Sequence, residues 1–198
     1  SIKKISDEEL QMLDIDQELS SHPHYTPICG FLEDIDSFDP GIFGLSDTQA
    51  ELLDPQQRVL LEQAYRAFED SGYTACKYEG TIGVYVGEGA TDYYQQIRTS
   101  SLYKTWSYSK KHLVRLLNEK DFLAGRLAYH LGLCGESLNI SQGSATGLVA
   151  VIKACQALRN GMCDMALAGA SSVILPNKFG YPYEAGSIYS KSGNCRPF

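Results

Sequence analysis

The turn Gly-Ser-Ala-Thr-Gly at residues 143–147 is the part of this sequence best suited to chemistry. It lies between residues 137–141, which we predict to be a short strand, and an apolar run that we predict to be a helix opening near Thr146. The first backbone N–H groups of a helix lack intrahelical partners and carry the positive end of its dipole. Ser144 would therefore lie where a nucleophile meets donors for a developing oxyanion.

Two common motifs fit the sequence only in part. The serine-hydrolase elbow G-x-S-x-G has serine at its centre, but the centre of this pentad is Ala145, and Ser144 lies one residue early. Residues 87–89, Gly-Glu-Gly, begin a dinucleotide-binding fingerprint, but Asp92 stands where the third glycine belongs. A tight Ser/Gly-rich turn that only caps a core helix therefore stays open as an alternative.

Two helices and a strand are predicted before this turn. A helix begins at the N-cap Asp54 with proline at its first position, and it ends at Gly72. The β-branched run 81–87 indicates a buried strand. A second helix is expected to begin at Asp121 as its N-cap and to end at Gly132.

After the turn, the pattern becomes almost continuously apolar. Residues 148–158 predict a buried helix, and residues 165–174 predict a strand that is covered on both faces. Strand, turn, helix and strand form a βαβ unit, so we expect an α/β fold.

Composition excludes several classes of function. The chain has 198 residues, 43% of them hydrophobic, and a net charge of −7, which is typical of a globular domain. No basic run exceeds Lys110-Lys111, so we expect no nucleic-acid or anionic-membrane partner. No apolar run approaches the ~20 residues that span a bilayer, and we expect a cytoplasmic protein. The six cysteines form no CxxC pair and indicate reduced thiols, and the histidine spacing disfavours a metal site.

Several longer blocks follow one another across nearly the whole chain: DPQQRVLLE at 54–62, FEDSGY at 68–73, NEKDFLAGRLAY at 118–129, LVAV at 148–151, ACQAL at 154–158, CDMALAG at 163–169 and GNCRPF at 193–198. In order and spacing, these blocks resemble the β-ketoacyl synthase, or ketosynthase, domains of modular polyketide synthases and hybrid peptide–polyketide assembly lines. The resemblance implies a thiolase-like layered αβαβα fold of the α/β class.

The same resemblance sets the expected domain organisation. Residues 1–198 would be a partial ketosynthase domain, covering most of the N-terminal half and lacking the first strand and the C-terminal half. We therefore expect the chain to be part of a larger polypeptide that includes neighbouring synthase domains, with the helix 148–158 left uncovered when alone. A homodimer is also implied, in which the strand at residues 137–141 pairs across a two-fold axis.

When the sequence is aligned with the family on these blocks, Ser144 lies at the position of the family's nucleophilic cysteine. In the family, this cysteine accepts an acyl group as a thioester from the phosphopantetheine arm of an acyl carrier protein. A carrier-bound malonyl unit is then decarboxylated, and its enolate attacks the thioester. The implied catalytic position is therefore Ser144, with Gln142, Gly143, Ala145 and Thr146 lining the acyl pocket; no covalently bound cofactor is expected.

Serine changes what this position can do. A thiol with a pKa of ~8.5 is easily drawn toward thiolate, whereas a serine hydroxyl needs an adjacent base. We therefore predict that this form is blocked in condensation, through either an engineered replacement or a natural change. The alternatives are a non-elongating ketosynthase that binds, gates or transacylates carrier-bound groups and, third, a serine hydrolase or acyltransferase. The four histidines match none of the family's catalytic residues.

Overall fold

The computed structural model describes residues 2–12, 20–90, 92–175 and 179–196 in two compact units. One unit joins residues 1–34 to residues 174–198, and the other comprises residues 35–173. The strands are β1 (Ile2–Lys4), β2 (Tyr25–Thr26), β3 (Ile28–Gly30), β4 (Ile82–Glu88), β5 (Ser137–Asn139), β6 (Met165–Ser171) and β7 (Tyr181–Pro182). The helices are α1 (Asp7–Met12), α2 (Asp47–Leu52), α3 (Pro55–Ser71), α4 (Asp92–Thr99), α5 (Ser101–Thr105), α6 (Tyr108–Asn118), α7 (Leu123–Leu131) and α8 (Thr146–Arg159).

The first unit is held together by two small antiparallel pairings. Strand β1 pairs with β3, with Ile2 opposite Gly30, and β2 pairs with β7, with Tyr25 opposite Pro182. The second pairing joins the two chain segments of this unit. Residues 197 and 198 of the closing GNCRPF block lie outside the described residues.

The second unit is built on a parallel sheet with the strand order β5-β4-β6. Val84 of the central strand lies opposite Ser137 on one side and Leu167 on the other. All seven residues of β4 are buried, as the run 81–87 predicted. The even-numbered residues of β4 pack against α3 and α7, while Tyr85 packs against the alanines of α8. Helices therefore cover both faces of the sheet, which confirms the predicted α/β class.

Helix α3 confirms its predicted ends. The Asp54 carboxylate accepts a hydrogen bond from the Gln56 backbone N–H at 2.8 Å, Pro55 is the first helical residue, and Gly72 ends the helix with φ +75°. Leu60, Ala64 and Phe68 form the buried face as expected. Tyr65, which the helical spacing of the apolar residues also predicted to lie on that face, is 40% exposed.

Helix α7 begins differently from the prediction. A 3-10 turn, Lys120–Phe122, precedes it, and the helix starts at Leu123 rather than after an Asp121 N-cap. The cap is supplied from strand β5: Asn139 Oδ1 accepts a hydrogen bond from the Ala124 backbone N–H at 2.8 Å. The Asn139 amide also donates to the Asp121 carbonyl oxygen. A side chain distant in sequence therefore does what Asp121 was expected to do.

Helix α8 and strand β6 are less covered than predicted. Only the small-residue face of α8 is buried, at Ala150, Ala154 and Ala157, while Leu148 is 67% exposed. Strand β6 ends at Ser171 rather than at residue 174, and its residues are mostly half-buried. The burial predicted from the apolar runs is therefore not reached in this chain, because no second layer packs on α8 among the described residues. The family resemblance instead implied that the helix 148–158 would be uncovered when alone, and α8 is uncovered here. In the described ranges, no helix is long and apolar enough to cross a membrane.

Candidate active site

Ser144 lies in a 3-10 turn, Gly143–Ala145, that leads directly into helix α8. Gly143 has φ +54°, a left-handed conformation that a side chain would strain, so glycine suits this position. Ser144 itself is exposed. The predicted geometry is therefore present: a serine side chain precedes a helix of 14 residues whose first N–H groups lack intrahelical partners.

Thr146 fixes the shape of this turn. Its side chain is buried, with 7% exposure, and its hydroxyl oxygen accepts a hydrogen bond from the Gln142 backbone N–H at 2.9 Å. The same hydroxyl donates to the Gly143 carbonyl oxygen at 2.7 Å. The hydroxyl thus links the two residues that precede Ser144 and holds the turn against the start of α8.

Strand β4 lies unusually close to this turn. A Cβ built on Gly87 would lie 2.1 Å from the Ile140 carbonyl oxygen and 2.4 Å from Thr146 Cγ2, both too short for any side chain. Gly87 therefore allows the end of β4 to meet the segment between β5 and Ser144. In the sequence, this glycine had been assigned only to the end of the predicted strand 81–87 and to an incomplete dinucleotide fingerprint.

A cavity of about 470 Å³ opens beyond the carboxyl ends of the three parallel strands. The described residues that line it are Glu88, Gly89, Lys120, Ser141, Gly143, Ser144, Thr146, Gly147, Ala170, Ser171 and Ser172. Of the predicted site residues, Gly143, Ser144 and Thr146 share this cavity, whereas Gln142 and Ala145 are not among its described lining residues. Ligands of open α/β sheets commonly bind at this edge.

Gln56 ties the strand ends around this cavity to helix α3. Its side chain is 1% exposed, and Oε1 accepts hydrogen bonds from the backbone N–H groups of Gly89, at 3.0 Å, and Val173, at 3.2 Å. Its Nε2 donates to the Ala90 carbonyl oxygen at 2.9 Å. One amide therefore fixes the chain just beyond both β4 and β6.

Glu88 is the functional candidate that sequence analysis missed. It ends β4 with 7% exposure, and Oε1 accepts a hydrogen bond from Gln57 Nε2 at 3.2 Å. Oε2 is buried and has no hydrogen-bond partner among the described residues. Burial, reinforced by the nearby Asp54 carboxylate, raises the pKa of Glu88 to about 7. The sequence signal that could have identified Glu88 is a carboxylate at the end of an otherwise apolar, buried strand.

The described residues contain no group of three or more His, Cys, Asp and Glu that could hold a metal ion. Cys134, Cys155, Cys163 and Cys195 carry free thiols. His130 contacts the Phe43 carbonyl oxygen through Nδ1 at 2.7 Å and is not among the residues around the cavity. The described polar side chains around the cavity are those of Glu88, Lys120, Ser141, Ser144, Thr146, Ser171 and Ser172.

Fold and site together define an α/β protein with a Ser/Gly-rich turn at the start of helix α8, beside a cavity at the strand ends. Comparison with known proteins makes this class specific. The model of the beta-ketoacyl synthase N-terminal domain matches residues 1–198, and the chain belongs to this family. The thiolase-like ketosynthase fold predicted from the sequence is confirmed by the structural comparison, described next.

Sequence relatives and solved structures support the same family assignment. The chain is 37% identical to a phenolphthiocerol/phthiocerol polyketide synthase protein of Mycobacterium tuberculosis over 204 residues, covering 100% of this chain and 14% of that protein. It is 36% identical to the spectinabilin polyketide synthase system protein NorC of Streptomyces orinoci, over 85% of this chain and 7% of that protein. Ketosynthase twelve of the Bacillus amyloliquefaciens bacillaene polyketide synthase superposes with a TM-score of 0.85 at 26% identity, covering 98% of this chain and 33% of that chain. The chain thus spans a small part of the length of these proteins.

Proposed function

We propose that this chain carries the acyl-accepting turn of a polyketide-synthase ketosynthase, with Ser144 at the position that receives the acyl group. The full reaction would be decarboxylative Claisen condensation of that acyl group with malonyl held on an acyl carrier protein. Both substrates would arrive on phosphopantetheine arms. The observation that carries the proposal is the location of Ser144, at the start of α8 and in the cavity beyond the strand ends, in a chain of this family.

The first turn of α8 supplies the electrostatic part of acyl transfer. Its unsatisfied N–H groups and helix dipole favour the negative charge that develops on a carbonyl oxygen during attack. Gly143 and Gly147, on either side of Ser144, leave room for a substrate carbonyl at the backbone. These features serve a serine as well as a cysteine.

The step after acyl transfer depends on the nucleophile. A thioester is a better acyl donor to a carbon nucleophile than an oxygen ester, so an acyl group held on Ser144 would resist condensation. We therefore propose that this form loads slowly, holds what it loads and is blocked in chain extension. An engineered replacement and a natural change would behave alike in this respect.

A second candidate is a non-elongating ketosynthase that binds, gates or transacylates carrier-bound groups. Glu88 favours it, because a buried carboxylate in the Ser144 cavity could supply the base that a serine nucleophile needs. The two candidates share the acyl carrier protein as partner and differ in whether carbon–carbon bond formation follows.

We also propose a homodimer formed through strand β5. This strand lies at the edge of the sheet, and Leu138 on it is 39% exposed. An uncovered strand edge can pair with a second copy. Sedimentation of the full-length protein as a stable monomer would contradict this pairing.

Intact-protein mass after incubation with an acyl thioester tests the function. We expect Ser144→Cys to gain one acyl group rapidly and the serine form to gain it at least tenfold more slowly. Malonyl-loaded carrier protein should then yield a condensed product only with Ser144→Cys. Equal acylation rates would contradict the block, and acylation of neither form would contradict the ketosynthase assignment of Ser144.

A further inference from the structure

The cavity that holds Ser144 extends across the end of strand β4. Side chains alternate along the strand, so Gly87 faces α8 and the turn, while Glu88 points toward α3 and α7. Glu88 nevertheless lines the same cavity as Ser144, because the cavity lies beyond the last residues of the sheet.

The carboxylate of Glu88 is only half satisfied. Oε1 is held by Gln57, whereas Oε2 is buried without a hydrogen-bond partner among the described residues. A buried polar atom without a partner is costly, and one that a folded protein retains requires an explanation, of which a catalytic role is one. Oε2 therefore has unused acceptor capacity, but it is sealed from solvent where it stands, so the side chain must turn to present this oxygen to the cavity.

We propose that Glu88, by turning its carboxylate into the cavity, becomes the proton acceptor for the Ser144 hydroxyl during acyl transfer. This inference rests on the proposed function, since it takes Ser144 as the residue that receives the acyl group. It deepens that function by giving the serine the base that it otherwise lacks.

The groups around Glu88 shift its pKa toward a value suited to this role. Burial and the Asp54 carboxylate at the start of α3 raise the pKa of Glu88 to about 7, while the Gln57 hydrogen bond, Lys120 and Arg126 act in the opposite direction. These groups come from α3, the 3-10 turn before α7, and α7 itself. A base with a pKa near the working pH combines a useful ionised fraction with a real affinity for the proton.

The proposed step balances without any further reagent. The Ser144 oxygen attacks the thioester carbonyl carbon, and its proton passes to the Glu88 carboxylate. The new C–O bond forms, the C–S bond breaks, and the departing thiolate takes the proton from Glu88. The products are an acyl ester on Ser144 and a free thiol, with Glu88 ionised again.

The first test measures acetylation of Ser144 in the full-length protein by peptide mass spectrometry, with the acetyl thioester of N-acetylcysteamine as donor. Glu88→Gln should lower the rate at least tenfold at pH 8, because a general base contributes a factor of about 10² to 10⁴. The matched control is Glu119→Gln: this carboxylate is paired with Arg115, is 40% exposed and is not among the cavity residues. An equal loss in both variants, or in neither, overturns the inference.

The second test needs no acyl transfer. In a Ser144→Cys background, alkylation of the introduced thiol by iodoacetamide is followed from pH 5 to 10. Adding Glu88→Gln removes a neighbouring negative charge, lowers the thiol pKa and should speed alkylation at pH 7.5 by about threefold, equivalent to half a pKa unit. An unchanged profile means that the carboxylate does not face residue 144, which overturns the inference while the proposed function stands.

The two tests separate the possible failures. If Ser144→Cys is acetylated and the serine form never is, Glu88 does not activate the serine, and only this inference fails. If neither nucleophile is acetylated, the proposed function fails together with it. Glu88→Asp retains a carboxylate one methylene further back and should retain part of the rate, so it serves as the test variant should Glu88→Gln fail to fold.

Discussion

Gly87 and the carbonyl oxygen of Ile140 approach each other so closely that a Cβ on Gly87 would lie 2.1 Å from that oxygen. This contact joins the central strand β4 to the segment that carries Ser144. The backbone of β4 thus packs directly against the turn. The position of Ser144 depends on glycine at residue 87, because any side chain there would collide with the turn.

We expect Gly87→Ala to destabilise the chain by about 3 kcal/mol or more, because neither the backbone carbonyl nor Thr146 can move away without breaking the turn. Gly147→Ala is the control in the same region, since its Cβ would lie 3.6 Å from Ala170 Cβ, an ordinary contact. That variant should be stabilised by up to about 1 kcal/mol through the higher helix propensity of alanine. Urea unfolding followed by Trp106 fluorescence measures both, and similar midpoints for the two variants would contradict the close approach.

Thr146→Val should loosen the turn that holds Ser144. The substitution removes the hydroxyl that accepts from Gln142 and donates to Gly143, at a cost of about 1 to 2 kcal/mol. Thr146→Ser retains both hydrogen bonds and should cost less than about 1 kcal/mol. Hydrogen exchange of the Gln142 amide distinguishes them; protection that survives in the valine variant would show that the hydroxyl is not its partner.

Glu88→Gln should make the chain more stable above neutral pH. The pKa of Glu88 is raised to about 7 in the folded chain, so the folded state holds this proton between its unfolded pKa of 4.5 and about 7. Stability is therefore lost as the pH rises through this range, by about 3 kcal/mol in all. The amide does not ionise, and the variant should escape this loss.

The measurement compares urea midpoints of the two forms at pH 5 and pH 8. The difference in favour of Glu88→Gln should be larger at pH 8. A difference that is the same at both pH values would mean that Glu88 has an ordinary pKa.

Gln56→Leu should release the ends of β4 and β6 together. It leaves the N–H groups of Gly89 and Val173 and the Ala90 carbonyl without partners, at a cost of about 2 to 4 kcal/mol. The matched control is Gln63→Leu in the same helix, because Gln63 is exposed. Its stability should change by less than about 0.5 kcal/mol. Equal losses would show that the side chain matters for the helix rather than for the strand ends.

The features that the sequence predicts well are those whose causes are local. Helix α3 is limited by Asp54 and Pro55 at one end and Gly72 at the other, all within or beside the helix itself. The start of α7 could not be predicted in this way, because its cap is Asn139, which lies on strand β5. Capping rules consider neighbours in sequence, and this neighbour exists only after the sheet has formed.

In the candidate site, too, the features with local causes could be predicted from the sequence, and the others could not. The turn around Ser144 is shaped largely by Thr146, two residues away, so its place before a helix could be predicted. Glu88 has a sequence signal, a carboxylate at the end of an apolar strand, but its raised pKa could not be predicted, because the groups that act on it, such as Gln57 and Arg126, come from other elements. Burial of α8 was overestimated for a related reason: apolar residues indicate that a face is suited to packing, but not which segment packs on it.

The central place of β4 in the sheet also bears on how the chain folds as it leaves the ribosome. Its partner strand β6 lies far downstream: the backbone N–H of Thr81, just before β4, bonds to the Asp164 carboxylate, 83 residues later. At a synthesis rate of 5–20 residues per second, those residues take roughly 4 to 17 s to appear. During that interval a strand that is fully buried in the finished sheet is left without its neighbour, so nascent chains of this protein should depend on chaperones that shield extended apolar segments.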